Sequence, residues 1–302
     1  MTVTQGLAAL RRKLADYLEL VKPGIVSLIL LTTAAAMAVA ASHAGVSLRA
    51  NGLLLWGVLA GVGLASGGGG ALNCYIDRDI DRLMRRTARR AIPSGRVPER
   101  HALVLGLVLS LAGIGLVALS SNALAAGLTA AGLAIYVGVY SLWLKRRTPQ
   151  NIVIGGAAGA LGPAIGWAAV TGQISWLAVV MFLVVFLWTP PHFWTLALLA
   201  QEDYRRAGVP MLPVVAGEEP TRRQVVIYTG LLVLVSMVPV AAGMGGAVYA
   251  AVAAASGLLY LAVAVRAWRR PSRQADRWLF HYSITYLGVV YGALALAGRV
   301  GG

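Results

Sequence analysis

Long apolar runs separated by short charged connections set the pattern of this chain. Nine runs, over residues 24–42, 53–76, 102–120, 124–144, 152–171, 176–201, 225–243, 247–266 and 278–297, are almost free of charge. Each reaches or approaches the ~20 residues that a helix needs to cross a bilayer. The pattern predicts an all-α polytopic membrane protein with nine transmembrane helices. We read one domain over 1–302, with residues 1–22 as a cytoplasmic N-terminal arm. The basic cluster Arg11, Arg12 and Lys13 ahead of the first run resembles a signal peptide, but eight further runs and the acidic Asp16 and Glu19 predict a retained first helix.

Composition agrees. Of 302 residues, 58% are hydrophobic and 12% are charged, against about 25% charged in a soluble domain. That excludes a soluble enzyme with a single anchor. The formal net charge is +15, but the apolar runs leave no room for a nucleic-acid-binding domain, and the charge has another origin. Lys and Arg number 4 in the arm, 8 in 77–101, 3 in 145–151, 4 in 202–224 and 5 in 266–277; only Arg49 and Arg299 lie on the other side. The positive-inside rule then places the N-terminus in the cytoplasm and, after nine crossings, the C-terminus outside. All eleven acidic residues fall on that same cytoplasmic side. The rule does not require this, so the polar chemistry is gathered on one face. The single Cys74 excludes an internal disulfide and a cysteine metal cage.

The densest polar stretch, NCYIDRDIDRLMRRTARR (73–90), comes directly after the second run. Asn73, Asp77 and Asp81 are spaced i, i+4, i+8 and form one row on a helix, whereas Asp79 lies about 200° round from Asp77. Such a row suits a hard cation; Mg²⁺ takes one or two carboxylates together with substrate phosphates. The plain alternative is a solvated helix end in which Asp77 pairs with Arg78 or Arg82. Arg82, Arg85, Arg86, Arg89 and Arg90 come next, and Arg forks match phosphate oxygens. Attraction to anionic lipid accounts for part of this charge.

A second cluster ends the sixth run: Glu202, Asp203, Arg205 and Arg206. Clusters after runs 2 and 6 predict two four-helix repeats and an added ninth helix. Within the sixth run, Pro190-Pro191 should break or kink the helix. His192 comes at once after them. On a continuous helix it shares a face with Asp203, about 16 Å away, and an ionisable group at that depth is a candidate functional residue. A third basic point, Lys145, Arg146 and Arg147, closes the fourth run beneath Tyr136, Tyr140 and Trp143, an i, i+4, i+7 aromatic stripe that could line a cavity for an unsaturated chain.

Three segments, NCYIDRDIDRLMRRTARRAIPSGR, LKRRTPQNIVIGGAAGALGPAIGW and WTPPHFWTLALLAQEDYRRAGVPMLPVVAG, resemble the haem-modifying branch of the UbiA-type intramembrane prenyltransferases. The likeness covers roughly 17–297. The first motif is common to the superfamily; PPHFW with DY and AG-PMLPVV after it is more specific to the haem branch. The resemblance implies nine helices around a central cavity and two acidic motifs facing each other over Mg²⁺. By position, Asn73, Asp77 and Asp81 fall on the first metal motif, with Asp203 and Glu202 on the second. Arg86, Arg90, Lys145 and Arg146, with Arg82 beside them, fall on the diphosphate-binding residues, and His192 on the histidine of PPHFW. The chain departs from the pattern in places. Ala207 stands where a D-x-x-x-D motif has its second acid. Ala91 replaces a frequent proline after Arg90, and Gly162 stands where many members have the first of two prolines.

The implied reaction joins farnesyl diphosphate to the 2-vinyl group of haem b, with addition of water, to give haem O. Membrane lipid, and a haem A synthase or oxidase assembly factor, are the further implied partners. Two other readings stand beside it. One is a UbiA-type enzyme acting on an aromatic quinone precursor, which PPHFW disfavours. The other is a haem or lipid transporter, which fits a broken mid-membrane helix but has no need of two acid rows on one face. A stable haem carrier ligated by His192 and His281 is the least favoured, with only four histidines (His43, His101, His192, His281) in the chain.

Overall fold

The computed structural model describes residues 3–243 and 245–297. Among these it is helical, without a strand. The elements are α1 (Val3–Leu20), α2 (Pro23–Ala44), α3 (Gly52–Ile76), α4 (Arg78–Leu83), α5 (Glu99–Ser120), α6 (Ala123–Ala134, continued by a π-helix Ile135–Leu144), α7 (Asn151–Thr171), α8 (Trp176–Leu199), α9 (Gln201–Arg206), α10 (Leu212–Val215), α11 (Glu218–Ser236), α12 (Val238–Ala241), α13 (Gly246–Arg269) and α14 (Arg273–Ala297). Nine helices among the described residues are long and apolar enough to cross a membrane, and they fall on the nine apolar runs. This is an integral membrane protein. Arg299, counted on the side opposite the basic loops, lies outside the described residues. Trp56 and Trp176 are exposed at one end of the bundle, and Trp143 and Trp278 at the basic end, the positions of two interfacial aromatic belts.

Several boundaries differ from the apolar runs. Helices α11 and α14 begin at Glu218 and Arg273, earlier than hydropathy alone places them, because their charged first turns continue the helix beyond the apolar stretch. The seventh run does not stay one helix to 243. Pro239 lacks an N–H and crowds the carbonyl four residues back, so α11 stops at Ser236 and α12 restarts after Met237. Of the break or kink expected at Pro190-Pro191, the break does not occur: α8 runs from Trp176 to Leu199. Both prolines are buried there, and α7, α11 and α14 pack around the helix. Tertiary packing holds the backbone where the missing hydrogen bonds would let it go.

Packing obeys the two repeats. Helices α2, α3, α5 and α6 neighbour one another in sequence order, as do α7, α8, α11 and α13; α14 closes against α13, α8 and α2. In each half the second span leads into a short helix, α4 or α9, that carries acids. The halves also meet through α2 and α7. Approach is closest where glycine replaces a side chain. A Cβ on Gly113 of α5 would lie 2.4 Å from Ala65 N and 2.5 Å from Gly61 O of α3. Neither backbone atom can step aside cheaply. Gly113→Ala is expected to destabilise the bundle by about 3 kcal/mol or more, read as a lowered midpoint of thermal unfolding in detergent, while Gly115→Ala, with open space around its Cβ position, leaves the midpoint near wild type.

At the basic end a buried ion pair ties α11 to α14. The Arg222 guanidinium donates to both carboxylate oxygens of Asp276, through Nη1 and, at 2.9 Å, through Nη2. Glu218 is a third partner at 3.1 Å. Asp276→Ala leaves the buried guanidinium with Glu218 as its carboxylate partner, with an expected cost of about 3 kcal/mol. Replacing both partners by apolar residues (Arg222→Met with Asp276→Leu) should recover most of it. The same unfolding measurement on the single and double variants checks both.

Candidate active site

The site grows from the place where α3 ends. Asp77 sits at φ −85°, ψ 2°, between Ile76, the last residue of α3, and Arg78, the first of α4. The i→i+4 bonds nevertheless continue across it: Asp77 N–H donates to Asn73 O at 2.9 Å and Asp81 N–H to Asp77 O at 2.8 Å. The row Asn73, Asp77, Asp81 therefore survives the break, and all three side chains are buried.

Each member of the row meets a cation or an amide from elsewhere. The Lys145 ammonium donates to Asp77 Oδ2, and Asn73 Nδ2 donates to the same oxygen at 2.9 Å. Asn73 Nδ2 also donates to Ser141 Oγ at 2.9 Å. Lys22 Nζ donates to Asn73 Oδ1 at 2.5 Å and to Tyr136 Oη at 3.3 Å. Arg90 Nη1 reaches Asp81 Oδ2 at 2.8 Å. Burial works against the charge on Lys145, but Tyr140, the Asp77 carboxylate and the hydrogen bond from Lys145 to that carboxylate more than offset it, and its pKa is raised above the ordinary lysine value. The alternative pairing of Asp77 with Arg78 or Arg82 does not form. Those arginines pair with Glu99, at 2.8 and 3.3 Å.

Asp79 points away from the row, as its angle predicts. Arg146 grips it with two 2.6 Å bonds, and that fork lowers its carboxyl pKa. Arg146 is thus engaged outside the nest, while Lys145 is inside it.

The second acidic cluster comes in through one residue. Asp203 accepts from the backbone N–H groups of Arg85 (3.1 Å) and Arg86 (3.0 Å) and from Arg206 Nη2 (2.7 Å). It ties α9 to the loop after α4, and Ile80, Met84, Tyr204 and Met211 pack beside it. Glu202 is exposed and paired with Arg205 at 2.7 Å.

Two expectations built on continuous α-helices meet local departures from α geometry. The stripe of Tyr136, Tyr140 and Trp143 assumes 3.6 residues per turn, but Ile135–Leu144 is a π-helix with i→i+5 bonds, such as Lys145 N to Tyr140 O at 2.9 Å. Its wider turns leave Tyr136 and Tyr140 stacked at 6.0 Å and put Trp143 on the exposed surface. Likewise α8 ends at Leu199, with Ala200 at φ −118°, ψ 23°, before α9 begins. The single α-helix assumed from His192 to Asp203 is interrupted at that joint, although i→i+4 bonds cross it, from Ala200 N to Leu196 O at 3.1 Å and from Tyr204 N to Ala200 O at 3.2 Å.

His192 packs instead against α14. Its ring lies between Trp188 (4.4 Å) and Phe280 (4.7 Å), both stacked on it, with Phe193 edge-on at 5.3 Å. His192 Nδ1 is 2.7 Å from Ser283 Oγ. The single hydroxyl proton of Ser283 goes to Phe280 O at 2.6 Å. So Nδ1 is the donor to Ser283, and Nε2 carries the lone pair.

Lys22 and Ser141 belong to the nest although the sequence pattern does not point to them. In sequence Lys22 is only a basic charge of the arm. Its position before Pro23 is a usable sign, because that placement disfavours the α conformation. It adopts φ 52°, ψ 62°, the only positive φ at a non-glycine among the described residues, and such strain clusters at functional sites. Ser141 reaches Asn73 only because the π-helix turns it inward, with its Oγ bonded to Tyr136 O five residues back at 2.9 Å. No sequence signal announces that.

Among the described residues, no three of His, Cys, Asp and Glu approach closely enough to hold a metal unaided. The donor set still fits a hard cation that shares its ligands with a substrate. Asp77 Oδ1 is buried without a hydrogen-bond partner, and an unsatisfied carboxylate oxygen at that depth is costly unless something meets it.

Among the described residues, two four-helix repeats and an added ninth membrane helix, with acids and cations collected at one end, define the fold class of intramembrane prenyltransferases. The sequence matches the UbiA prenyltransferase family over residues 29–293, and the chain belongs to that family. Among named relatives, protoheme IX farnesyltransferase of Gloeobacter violaceus is 48% identical over 97% of this chain and 94% of the relative. That of Roseiflexus sp. (strain RS-1) is 48% identical over 98% of this chain. The chain spans about half the length of some relatives it matches, 54% for Roseiflexus and 50% for Chloroflexus aurantiacus. Of solved structures, a digeranylgeranylglyceryl phosphate synthase superposes with TM-score 0.75 at 19% identity, covering 95% of this chain and 99% of that one. A UbiA homolog from Archaeoglobus fulgidus bound to DMAPP and Mg²⁺ gives TM-score 0.68 at 16% identity, covering 94% and 98%. At these identities the structures speak for the fold.

Proposed function

We propose that this protein transfers the farnesyl group of farnesyl diphosphate to the 2-vinyl group of haem b, with addition of water, giving haem O and diphosphate for haem-copper oxidase maturation. The observation that carries the reading is the buried Asp77 nest, where an orphaned carboxylate oxygen sits beside Lys145, Lys22 and Asn73 at the membrane boundary. The names of the relatives support the choice of farnesyl and haem. The basic loops support a cytoplasmic N-terminus, an outer C-terminus, a site open to the cytoplasm and residence in the bacterial cell membrane. A haem A synthase or oxidase assembly partner would receive the product.

In this reading Asn73, Asp77 and Asp81 hold Mg²⁺ together with substrate oxygens, Asp203 approaches from α9, and exposed Glu202 contributes least. Bound there, Mg²⁺ supplies neutralising charge for the leaving diphosphate. Lys145 and Arg90 are the inner cations for that diphosphate; Arg86, Arg146 and Arg82 complete its rim. The allylic C–O bond breaks and its electron pair leaves with diphosphate. The vinyl π electrons form the new C–C bond. The cation left beside the porphyrin takes a water oxygen and releases a proton. His192, stacked between Trp188 and Phe280, is the residue that positions the haem in this reading.

Membranes containing the protein, given haem b and farnesyl diphosphate, should yield a pigment heavier by one farnesyl group and one hydroxyl group. Prenylated hydroxybenzoate from a parallel incubation, with haem unchanged, would overturn the choice of acceptor.

A further inference from the structure

Helix α1 is held on one side only. Leu20 is buried beside Ala71, Cys74 and Ile92. Tyr17 Oη lies 2.8 Å from His101 Nδ1. Asp16 and Glu19 both bind Arg96, each at 2.7 Å. These contacts fasten α1 to α3, to the loop between α4 and α5, and to the start of α5. On the other side Leu7, Leu10, Leu14 and Leu18 stand 54–59% exposed. At 100° per residue all four fall within an arc of about 80°. A row of four uncovered leucines on a helix this short is not a usual surface for water.

Charge and connectivity say what covers it. Arg11, Arg12 and Lys13 share the helix, and among the described residues no carboxylate pairs with them. Both acids of α1 are taken up by Arg96, which leaves the outward charge of α1 positive. Only Val21 and Lys22 separate α1 from α2, the first membrane span. The helix, about 27 Å long, therefore joins the first membrane span at its basic end.

We propose that α1 is an in-plane membrane helix. Its leucine row seats in the acyl boundary of the bilayer, and Arg11, Arg12 and Lys13 meet anionic headgroups. The seat matters beyond anchoring. Lys22, at the end of α1, holds Asn73, and Arg96, fastened to α1, lies in the same connection as Arg90. A bilayer pressing on α1 thus steadies two walls of the candidate site. This inference does not depend on which acceptor is used.

The test uses the full chain in a Cys74→Ala background, with a nitroxide at one of Leu10→Cys, Leu14→Cys, Leu18→Cys or Ala8→Cys. Each labelled protein is placed in lipid nanodiscs of phosphatidylcholine alone or with phosphatidylglycerol. The ratio of oxygen to nickel-chelate accessibility should be several-fold higher at the three leucine positions than at Ala8, and higher still in the anionic discs. Equal nickel access at all four positions would put α1 in water and overturn the proposal. Low access to both reagents at the leucines would mean a protein surface, a second copy or a partner, and would also overturn it. The same ratios in neutral and anionic discs would overturn the role given to the basic residues.

Discussion

Asp77→Asn should lower turnover on the order of 10²–10³-fold, the scale of removing one preorganised charge partner from a reacting site. The change keeps the size of the side chain and its link to Asn73, but it removes the negative charge that meets Lys145 and would meet a cation. Mg²⁺ sites rely on one or two carboxylates, so losing one leaves little protein to hold the ion. The variant also strands a buried ammonium, and lost stability could imitate lost chemistry. Asp77→Asn with Lys145→Met removes both partners and should restore the unfolding midpoint toward wild type without restoring turnover. Product yield and thermal unfolding, read side by side on both variants, check this. Turnover within a few-fold of wild type in Asp77→Asn at low Mg²⁺ would show that Asp77 does not hold the ion.

His192→Ala should lose haem use by about 10²-fold or more and leave prenyl diphosphate affinity nearly unchanged. The two sites are held by different elements. The Asp77 nest is built from α3, the π-helix and Lys22, whereas His192 is set by Trp188, Phe280 and Ser283 across α8 and α14. Separate titrations of each substrate on the variant decide it. A collapse of diphosphate affinity with haem binding kept would move His192 into the phosphate site. Ser283→Ala is a finer test. It removes the acceptor that fixes Nδ1–H, so it should weaken haem use less than His192→Ala does, and by the same route.

The spans are legible in the sequence because a bilayer imposes length and hydropathy on every crossing helix. The Asn73, Asp77, Asp81 row is legible because i→i+4 bonding persists through the joint at Asp77. Local departures from α geometry are concealed. Trp143 leaves the aromatic stripe because the backbone there winds more widely. The helix assumed to run unbroken from His192 to Asp203 is interrupted at Ala200, an ordinary residue in sequence. Pro190-Pro191, the loudest helix-breaking signal in the chain, breaks nothing, because neighbouring helices hold that backbone. Lys22 reads in sequence as charge alone, yet its strained backbone delivers its ammonium to Asn73 over a separation of 51 residues.

The wide winding of Ile135–Leu144 makes chain length part of the site. Deleting one of these ten residues ahead of Ser141, Gly138 for example, would rotate the downstream backbone by about 100°, carrying Lys145 off Asp77 and Ser141 off Asn73 without altering a single functional side chain. Hydropathy would hardly change, and the segment would still cross the bilayer. The end of the fourth span should therefore accept conservative replacements freely and reject a one-residue deletion, so that its reading frame in space, more than its spelling, is what selection has to guard.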